Sequence, residues 1–318
     1  MQNKIIEFLK NSKNYISGEE ISRNLKISRA AIWKYMQELR RDGYDIVAVP
    51  HLGYRLVSSP DKLFPHEVQS NLDTKVLGKK IVYFDSIHST MDHAFELGMA
   101  GEDEGTVVCA ESQTKGKGRL GRSWSSPKGK GIYMSIILRP SLLPSNVAQL
   151  TLLAAVATCE AIRKTTSVAA KIKWPNDILI NDKKVAGILT ELSAEVDRVR
   201  FVVVGVGVNV NTALKYLPKQ GTSLKNETKK MVSRVELLQE ILRLMEQWYQ
   251  RVNAEGFSPV MKRWKELSST LGKRIRLIDA GGKIEGKAID LDRDGGLIIR
   301  SDSGVAVKRM SGDIIQVG

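Results

Sequence analysis

The sequence predicts a multidomain α+β protein, because the pattern of apolar residues differs between three successive parts of the 318-residue chain. Residues 1–60 have the apolar spacing of short helices, followed by two strand-like runs. Residues 78–270 alternate apolar strand-like runs with helical stretches, which is typical of an α/β domain with a mixed sheet. Residues 271–318 hold short strands separated by Gly-Gly and Asp-Gly, which favours an SH3-like β-barrel. Residues 61–77, at the end of a Ser-Ser-Pro-Asp run, are predicted to be a linker.

Composition narrows the class of protein. Lys and Arg number 49 against 35 Asp and Glu, and the net charge of +14 favours nucleic acid, nucleotide phosphates or acidic protein surfaces as partners. Cys109 and Cys159 lie in apolar runs, as buried free thiols do, so we expect the reducing cytoplasm. We expect neither secretion nor a membrane span, because the first residues lack a signal peptide's apolar segment and no apolar run reaches about eighteen residues. The four histidines lack metal-ligand spacing.

The first sixty residues are predicted to form a winged helix-turn-helix. Ser17 and Glu20 make an S-x-x-E capping box that opens a second helix, and Ser28 caps a third helix that ends at Gly43. The runs YDIVAV and GYRLV then predict a hairpin, the wing. The third helix carries an apolar stripe at helical spacing, made of Ile32, Tyr35, Met36 and Leu39.

The stretch Ser112–Trp124, SQTKGKGRLGRSW, combines three glycines with four cations. Glycines let a backbone approach a ligand closely, and the cations suit a polyanion. Between Glu111 and Glu160 there are seven basic residues and no acidic one, which predicts a positive potential. The spacing is not that of a P-loop. On composition alone, a solvated basic loop or a nonspecific nucleic-acid patch is an equally good interpretation.

Three further stretches carry polar groups at the ends of predicted elements. Asn176 and Asp177 close the run KIKWPND, where they suit a turn or a contact to Mg²⁺ or ribose. The run ILINDKKVAGIL predicts a hairpin whose return strand starts at Lys184, a lysine that either points into a site or decorates an edge strand. Ser89 and Thr90 precede a helix, where they cap it or offer hydroxyls to a ligand. The GVGVN run lacks the third glycine of a dinucleotide site.

In series, these motifs resemble the biotin protein ligase family: Ser-Thr before a helix, Q-x-x-G-K-G-R-x-G-R-x-W, K-W-P-N-D, K-V-A-G-I-L-x-E and G-V-G-x-N. The resemblance covers the whole chain, because the branch that is both ligase and biotin operon repressor adds a winged helix-turn-helix and an SH3-like domain. It implies that ATP and Mg²⁺ convert biotin to biotinyl-5′-AMP, and that a lysine of a biotin carboxyl carrier protein accepts the biotinyl group. It also implies repression of biotin synthesis genes with biotinyl-5′-AMP as corepressor.

The resemblance also implies roles for particular residues. Biotin contacts fall on Ser89, Thr90, Met91, Gln113, Lys117, Gly118, Arg119 and Lys184. Nucleotide contacts fall on Arg119, Arg122, Trp124, Asn176 and Asn209. Lys184 and Arg119 are the expected catalytic residues, and Asp177 is the expected Mg²⁺ ligand. Two positions depart from the family pattern: Met91 replaces a frequent amide residue, and Lys117 stands where many members have arginine.

For DNA, the predicted third helix would enter the major groove, and the hairpin would lie beside it. The expected contacts are Ser28, Arg29, Ala30, Trp33, Lys34 and Gln37 on the helix, with His51 and Arg55 on the wing. The alternative is a winged helix used for protein contacts. The resemblance implies operator binding by a homodimer that biotinyl-AMP promotes. Two other functions stay open: a biotin-sensing transcription factor without ligase activity, and a lipoate-type ligase on the same fold.

Overall fold

The computed structural model describes residues 1–12, 14–279 and 281–317. The chain forms two compact units, Met1–Lys62 and Leu63–Gly318. Within its described residues, the first unit contains α1 (Gln2–Lys10), α2 (Gly18–Leu25), α3 (Arg29–Asp42), β1 (Asp45–Val49) and β2 (Gly53–Ser58).

Local signals set the element boundaries in the first unit. The Ser17 hydroxyl accepts the Glu20 amide at 3.0 Å, and the Ser28 hydroxyl accepts the Ala31 amide at 3.2 Å. Gly43 ends α3 with a φ of +102°, a backbone conformation that glycine adopts without strain. Strands β1 and β2 pair antiparallel, as the predicted wing requires. The predicted stripe of α3 is buried at Ile32, Met36 and Leu39 and half-buried at Tyr35.

The second unit contains six α-helices, three short 3-10 helices and twelve strands in its described residues. The helices are α4 (Pro65–Gln69), α5 (Thr90–Met99), α6 (Ala148–Thr166), α7 (Leu224–Thr228), α8 (Arg234–Glu255) and α9 (Ser258–Leu267). The strands are β3 (Ile81–Phe84), β4 (Val107–Ala110), β5 (Gly131–Leu138), β6 (Lys171–Lys173), β7 (Asp177–Ile180), β8 (Lys183–Ala194), β9 (Val199–Asn209), β10 (Arg274–Asp279), β11 (Gly282–Leu291), β12 (Leu297–Arg300), β13 (Ala306–Arg309) and β14 (Asp313–Gln316).

Seven strands form a mixed sheet in the order β3-β4-β5-β9-β8-β7-β6, in which β3 and β4 are parallel and the other pairs antiparallel. Side chains alternate across β9. Val202, Val204, Val206 and Val208 belong to the main core with α6 and α8. Val203 belongs to a separate apolar cluster with α5, and Gly205, Gly207 and Asn209 follow on that same face. The sheet therefore has a core face and a second face that is covered only in part.

The predicted linker differs from the observed structure. Residues 63–77 include α4, and Leu63, Val68, Leu72 and Leu77 are buried in the core of the second unit. The return strand of the NDK hairpin also begins one residue earlier than predicted, at Lys183. It pairs with both β7 and β9, so β8 is not an edge strand.

Helix α6 corrects an expectation about length. The segment Pro144–Thr166, which contains an 18-residue window with a mean hydropathy of 1.3, is long and apolar enough to cross a membrane by length and composition, so the expectation that no run reaches this length is wrong. Of this window, 72% is buried inside the fold, as in the core helix of a soluble protein.

The carboxyl-terminal strands form an antiparallel sheet in the order β13-β12-β11-β10-β14. Strands β10 to β13 were predicted, whereas β14 and helix α9 were not. This sheet packs with the seven-stranded sheet in one compact unit. Trp174, which is 1% exposed, donates its indole N–H to the Gly295 carbonyl at 3.2 Å and so ties the two sheets together.

Candidate active site

A cavity of about 600 Å³ opens on the partly covered face of the seven-stranded sheet. It is lined by the predicted residues Thr90, Met91, Gln113, Lys117, Gly118, Arg119, Arg122, Trp124, Asn176, Asp177, Lys184 and Asn209. The structure thus brings together motifs that lie up to about 120 residues apart in sequence, in a volume typical of small-molecule sites. Ser89 is the exception, since it is 1% exposed and caps α5 by accepting the Asp92 amide.

One part of the cavity, which we call the neutral end, is made by Thr90, Met91, Gln113 and Ser135. The Gln113 side-chain oxygen accepts the Thr90 amide at 2.8 Å and the Thr90 hydroxyl at 3.1 Å. Ser135 donates to the Thr90 hydroxyl at 2.9 Å, and the Gln113 amide group donates to Ser126 at 2.9 Å. This network fixes uncharged donors and acceptors next to the Met91 thioether.

The other part, which we call the cationic end, is made by Arg119, Arg122, Asn176, Asp177 and Lys184. The Lys184 ammonium lies 2.6 Å from Asp177 Oδ1 and 5.4 Å from the centre of the Trp124 ring. Arg119 donates to Asn176 Oδ1 at 3.0 Å, and Asn176 in turn donates to the Ile188 carbonyl at 2.7 Å. Burial lowers the pKa of Arg119 below its usual value, although a guanidinium stays charged in proteins.

Acidic residues from distant segments reduce the positive potential predicted for the glycine-rich loop. Lys117 pairs with Asp92 of α5, and Arg122 pairs with Asp313 of β14. The hydrogen bond that Lys117 donates to Asp92 raises the pKa of Lys117. The hydrogen bond from Arg122 lowers the pKa of Asp313. The basic loop is therefore held at both sides by carboxylates that its own sequence does not contain.

Three glycines form the floor of the cavity: Gly187 of β8, with Gly205 and Gly207 of β9. A Cβ atom on Gly205 would lie 2.4 Å from the Met91 sulfur, and one on Gly207 would lie 2.6 Å from Trp124 Cε2. Such distances are shorter than real contacts, so glycine is required for these two side chains to lie on the sheet. These contacts account for the two glycines of the GVGVN run, for which the sequence indicated only that they do not form a dinucleotide site and that they match a family motif.

Sequence reasoning missed several residues of the site. Ser135, Leu217, Pro218 and Gln220 line the cavity, as does the segment Gly312–Ile315. Segment 217–222 is joined to β8, because the Lys184 amide donates to the Gln220 carbonyl and the Thr222 amide donates to the Lys184 carbonyl, both at 2.8 Å. These residues have no motif of their own in the sequence. The chain turns between Pro218 and Gly221, where the Gly221 amide donates to the Pro218 carbonyl at 2.7 Å.

In the first unit, the predicted DNA-contacting side chains lie mainly at the surface. Ser28, Arg29, Ala30, Trp33, Lys34, His51 and Arg55 are exposed, and Gln37 is half-buried. Trp33 is 61% exposed, which is unusual for so large an apolar side chain. Arg29 pairs with Glu19 of α2 at 2.9 Å, and Arg55 lies 4.9 Å from the centre of the Tyr15 ring. The exposed face of α3 is therefore available for a partner.

Comparison with known families agrees with this architecture. An HTH domain matches residues 1–55, the Biotin/lipoate A/B protein ligase family matches residues 83–209, and the Biotin protein ligase C terminal domain matches residues 270–316. The predicted fold class, a helix-turn-helix followed by an α/β domain and a small β domain, is thereby confirmed.

Individual relatives cover nearly the whole chain. The Bifunctional ligase/repressor BirA of Bacillus subtilis (strain 168) is 41% identical over 315 residues, which are 98% of this chain and 97% of that protein. The Bifunctional ligase/repressor BirA of Escherichia coli (strain K12) is 31% identical over 314 residues, 98% of this chain and 95% of that protein. The solved biotin protein ligase from Aquifex aeolicus in complex with biotin and ATP has a TM-score of 0.66 and 30% identity, and covers 75% of this chain and 100% of its own.

Three observations agree with one another: the order of the domains, the series of motifs around one cavity, and the 41% identity to a relative over nearly the full length of the chain. The chain therefore belongs to the family of bifunctional ligase/repressor proteins.

Proposed function

We propose that the neutral end of the cavity binds biotin and the cationic end binds ATP. The biotin carboxylate attacks the α-phosphorus, pyrophosphate leaves, and biotinyl-5′-AMP forms on the glycine floor. The ε-amine of a lysine on a biotin carboxyl carrier protein then attacks the acyl carbon, and AMP leaves. The observation that carries this proposal is the presence of two chemically different ends on one floor. An uncharged ring that donates and accepts hydrogen bonds suits the first, and a polyphosphate suits the second.

The charged side chains of the cavity would reduce the electrostatic repulsion between the two substrates in the adenylation step. A carboxylate and a triphosphate repel each other, so cations must neutralise both and stabilise the charge that develops. Lys184, held between Asp177 and the Trp124 ring, would supply a cation where the carboxylate and the phosphate meet. Arg119 would hold the phosphate of the adenylate and keep water away from it. Asn209 and Trp124 would contact the adenine.

The residues around Asp177 suit a Mg²⁺ ion that arrives with ATP. In the part of the chain that the structure describes, no three His, Cys, Asp or Glu side chains are grouped to hold a metal ion. Mg²⁺ commonly takes one or two carboxylates and completes its shell with substrate phosphates and water. Asp177 would supply the carboxylate, with Asn176 beside it, and the ion would neutralise phosphate charge.

The first unit would act as the repressor, with α3 in the major groove of operator DNA and biotinyl-5′-AMP as corepressor. Retention of the adenylate would promote a homodimer, and a dimer matches a two-fold operator. The exposed cations and the exposed Trp33 on α3 support this assignment. We infer that the protein works in the cytoplasm, where the carrier protein, ATP and DNA are found together and where the free buried thiols Cys109 and Cys159 stay reduced.

A transfer assay tests the proposal. The full chain is incubated with biotin, MgATP and an acceptor domain, and mass spectrometry should find the biotinyl group on one acceptor lysine. Operator binding without pyrophosphate exchange would instead identify a biotin sensor that lacks ligase activity. Activation of lipoate or octanoate in place of biotin would identify a lipoate-type ligase.

Two variants test the catalytic assignments. Lys184→Ala should reduce the adenylation rate far more than biotin affinity, whereas Lys183→Ala, an exposed neighbour on the same strand, should change neither. Arg119→Gly should release biotinyl-AMP, which would then label lysines nonspecifically. Equal losses of rate and biotin affinity in Lys184→Ala, or no additional free adenylate with Arg119→Gly, would contradict the assigned roles.

A further inference from the structure

Two of the three glycines of the cavity floor face each other across adjacent strands, and the third faces larger residues. Gly187 of β8 lies directly opposite Gly207 of β9, and Gly205 lies opposite Leu189. On the other side of β9, Gly205 lies opposite Ser135 and Gly207 lies opposite Tyr133. Gly205 and Gly207 are two residues apart and therefore point to the same face of the sheet.

Each of these two positions is covered by a different side chain. Above Gly205 lies Met91 of α5, which is 4% exposed and whose sulfur would be 2.4 Å from an added Cβ. Above Gly207 lies the Trp124 indole, with Cε2 at 2.6 Å and Nε1 at 2.8 Å from an added Cβ. The same ring also covers Gly187, where its Cζ3 atom would be 3.2 Å from an added Cβ.

The surroundings of the two positions differ in charge. Met91 follows Thr90, which is hydrogen-bonded to Gln113 and Ser135, so Gly205 lies at the neutral end. Trp124 contacts the Lys184 ammonium, which pairs with Asp177, so Gly207 lies at the cationic end. The Trp124 Nε1 atom is buried and has no hydrogen-bond partner among the described residues. Packing against the two glycines and the contact between its ring and Lys184 therefore position the indole, without a hydrogen bond from its N–H group among the described residues.

We propose that Gly205 and Gly207 divide the floor into two separate slots, one under Met91 and one under Trp124. Because of this division, Met91 contacts the carboxylic acid substrate and Trp124 contacts the nucleotide. The Met91–Gly205 slot sets the depth available to the ring system of the carboxylic acid substrate. The Trp124–Gly207 slot, closed on its other side by Gly187, sets the position of the indole against the nucleotide and beside Lys184. Met91 is thus a specificity-determining residue for the acid, and Gly207 is a positioning residue for the nucleotide. This inference rests on the proposed function.

Two alanine variants on the same strand, each the control for the other, test the division. In pyrophosphate exchange, Gly205→Ala should raise KM for biotin roughly tenfold and leave KM for ATP within about twofold, because one methyl group displaces the thioether from a packed site. Gly207→Ala should raise KM for ATP by a similar factor, roughly tenfold, and leave KM for biotin unchanged, because the methyl group displaces the indole. Titration calorimetry of biotin without ATP should show the loss in Gly205→Ala alone.

Second-site variants make the test specific. Met91→Ala should restore biotin binding to Gly205→Ala, and Trp124→Phe should restore KM for ATP to Gly207→Ala, while the exchanged combinations should restore nothing. If an alanine variant does not fold, Met91→Ala or Trp124→Phe alone must raise the KM assigned to its own slot. Equal effects of both glycine variants on both substrates, or rescue by the wrong partner, would overturn the proposal. A wild-type protein without biotin-dependent exchange would instead overturn the proposed function.

Discussion

Replacing Glu111 with alanine should be one of the most damaging single substitutions in the second unit. Glu111 Oε2 lies 2.7 Å from the Arg234 guanidinium, and the two side chains are 3% and 2% exposed. Glu111 Oε1 also accepts the Leu63 amide at 2.8 Å. Breaking a buried ion pair by removing one partner costs about 3–5 kcal/mol, because a charge loses its compensation where water does not reach it. We therefore expect the free energy of unfolding to fall by about 3–5 kcal/mol.

Urea and thermal unfolding followed by tryptophan fluorescence measure this loss. Four of the five tryptophans, Trp124, Trp174, Trp248 and Trp264, belong to the second unit, so the signal reports mainly on it. At roughly 2 °C per kcal/mol for a unit of this size, Tm should fall by about 6–10 °C.

A matched control removes an exposed carboxylate of the same type. Glu255 pairs with Arg251 one helical turn away on α8, and the two side chains are 52% and 49% exposed. Glu255→Ala should cost less than about 0.5 kcal/mol, because water screens such pairs. Replacing both Glu111 and Arg234 with leucine should cost less than Glu111→Ala, since no charge stays buried. If Glu111→Ala and Glu255→Ala cost the same, the argument from burial is refuted.

Three further predictions concern other parts of the chain. Ser17→Ala removes the cap of α2 and should lower the stability of the first unit by about 1 kcal/mol, measured by circular dichroism in urea; an unchanged midpoint would contradict the capping role. Burial raises the pKa of Cys109 from 9.0 to about 12, so the thiol ionises earlier in the unfolded chain than in the folded one. Stability should therefore fall as pH rises above about 9, which urea midpoints at pH 8 and pH 10.5 would detect, and Cys109→Ala should weaken this pH dependence. Lys34→Ala should weaken operator binding and reduce the slope of log affinity against log salt by about 1, whereas the same slope as wild type would exclude a phosphate contact.

Features that depend on neighbours in sequence were predictable. The caps at Ser17 and Ser28 and the end of α3 at Gly43 require only a side chain and a backbone within a few residues. The segment 63–77 was not predictable, because its order depends on a partner far away in the chain. Glu246 of α8 accepts the amides of Val76 at 2.7 Å and Leu77 at 2.8 Å, across about 170 residues. A polar segment whose amides are satisfied in this way carries no sign of burial in its own sequence.

The candidate site also has residues that the sequence predicted and residues that it did not. The order of the motifs predicted which residues line the cavity, because each motif brings its polar groups to the end of a strand or into a loop. It did not predict Ser135 or Asp313, since Ser135 lies in a buried strand that is otherwise apolar, and Asp313 is 191 residues from its partner Arg122. Ser89 shows the limit of assigning a role by position, because its hydroxyl is used as a helix cap.

The present partners of the loop cations also indicate which cation would gain most from binding a phosphate. Lys117 and Arg122 already face carboxylates, and exchange of a carboxylate for a phosphate at these partly exposed positions changes the energy little. Arg119 is more buried, and its hydrogen-bond partner in the described residues is the neutral amide oxygen of Asn176. A phosphate that reaches Arg119 therefore adds a charged hydrogen-bond partner to a guanidinium whose hydrogen bond is to a neutral amide, while Asp313 and Asp177 act on it through Coulombic attraction. This difference in partners supports Arg119 as the residue that retains the adenylate, and the free adenylate released by Arg119→Gly measures it directly.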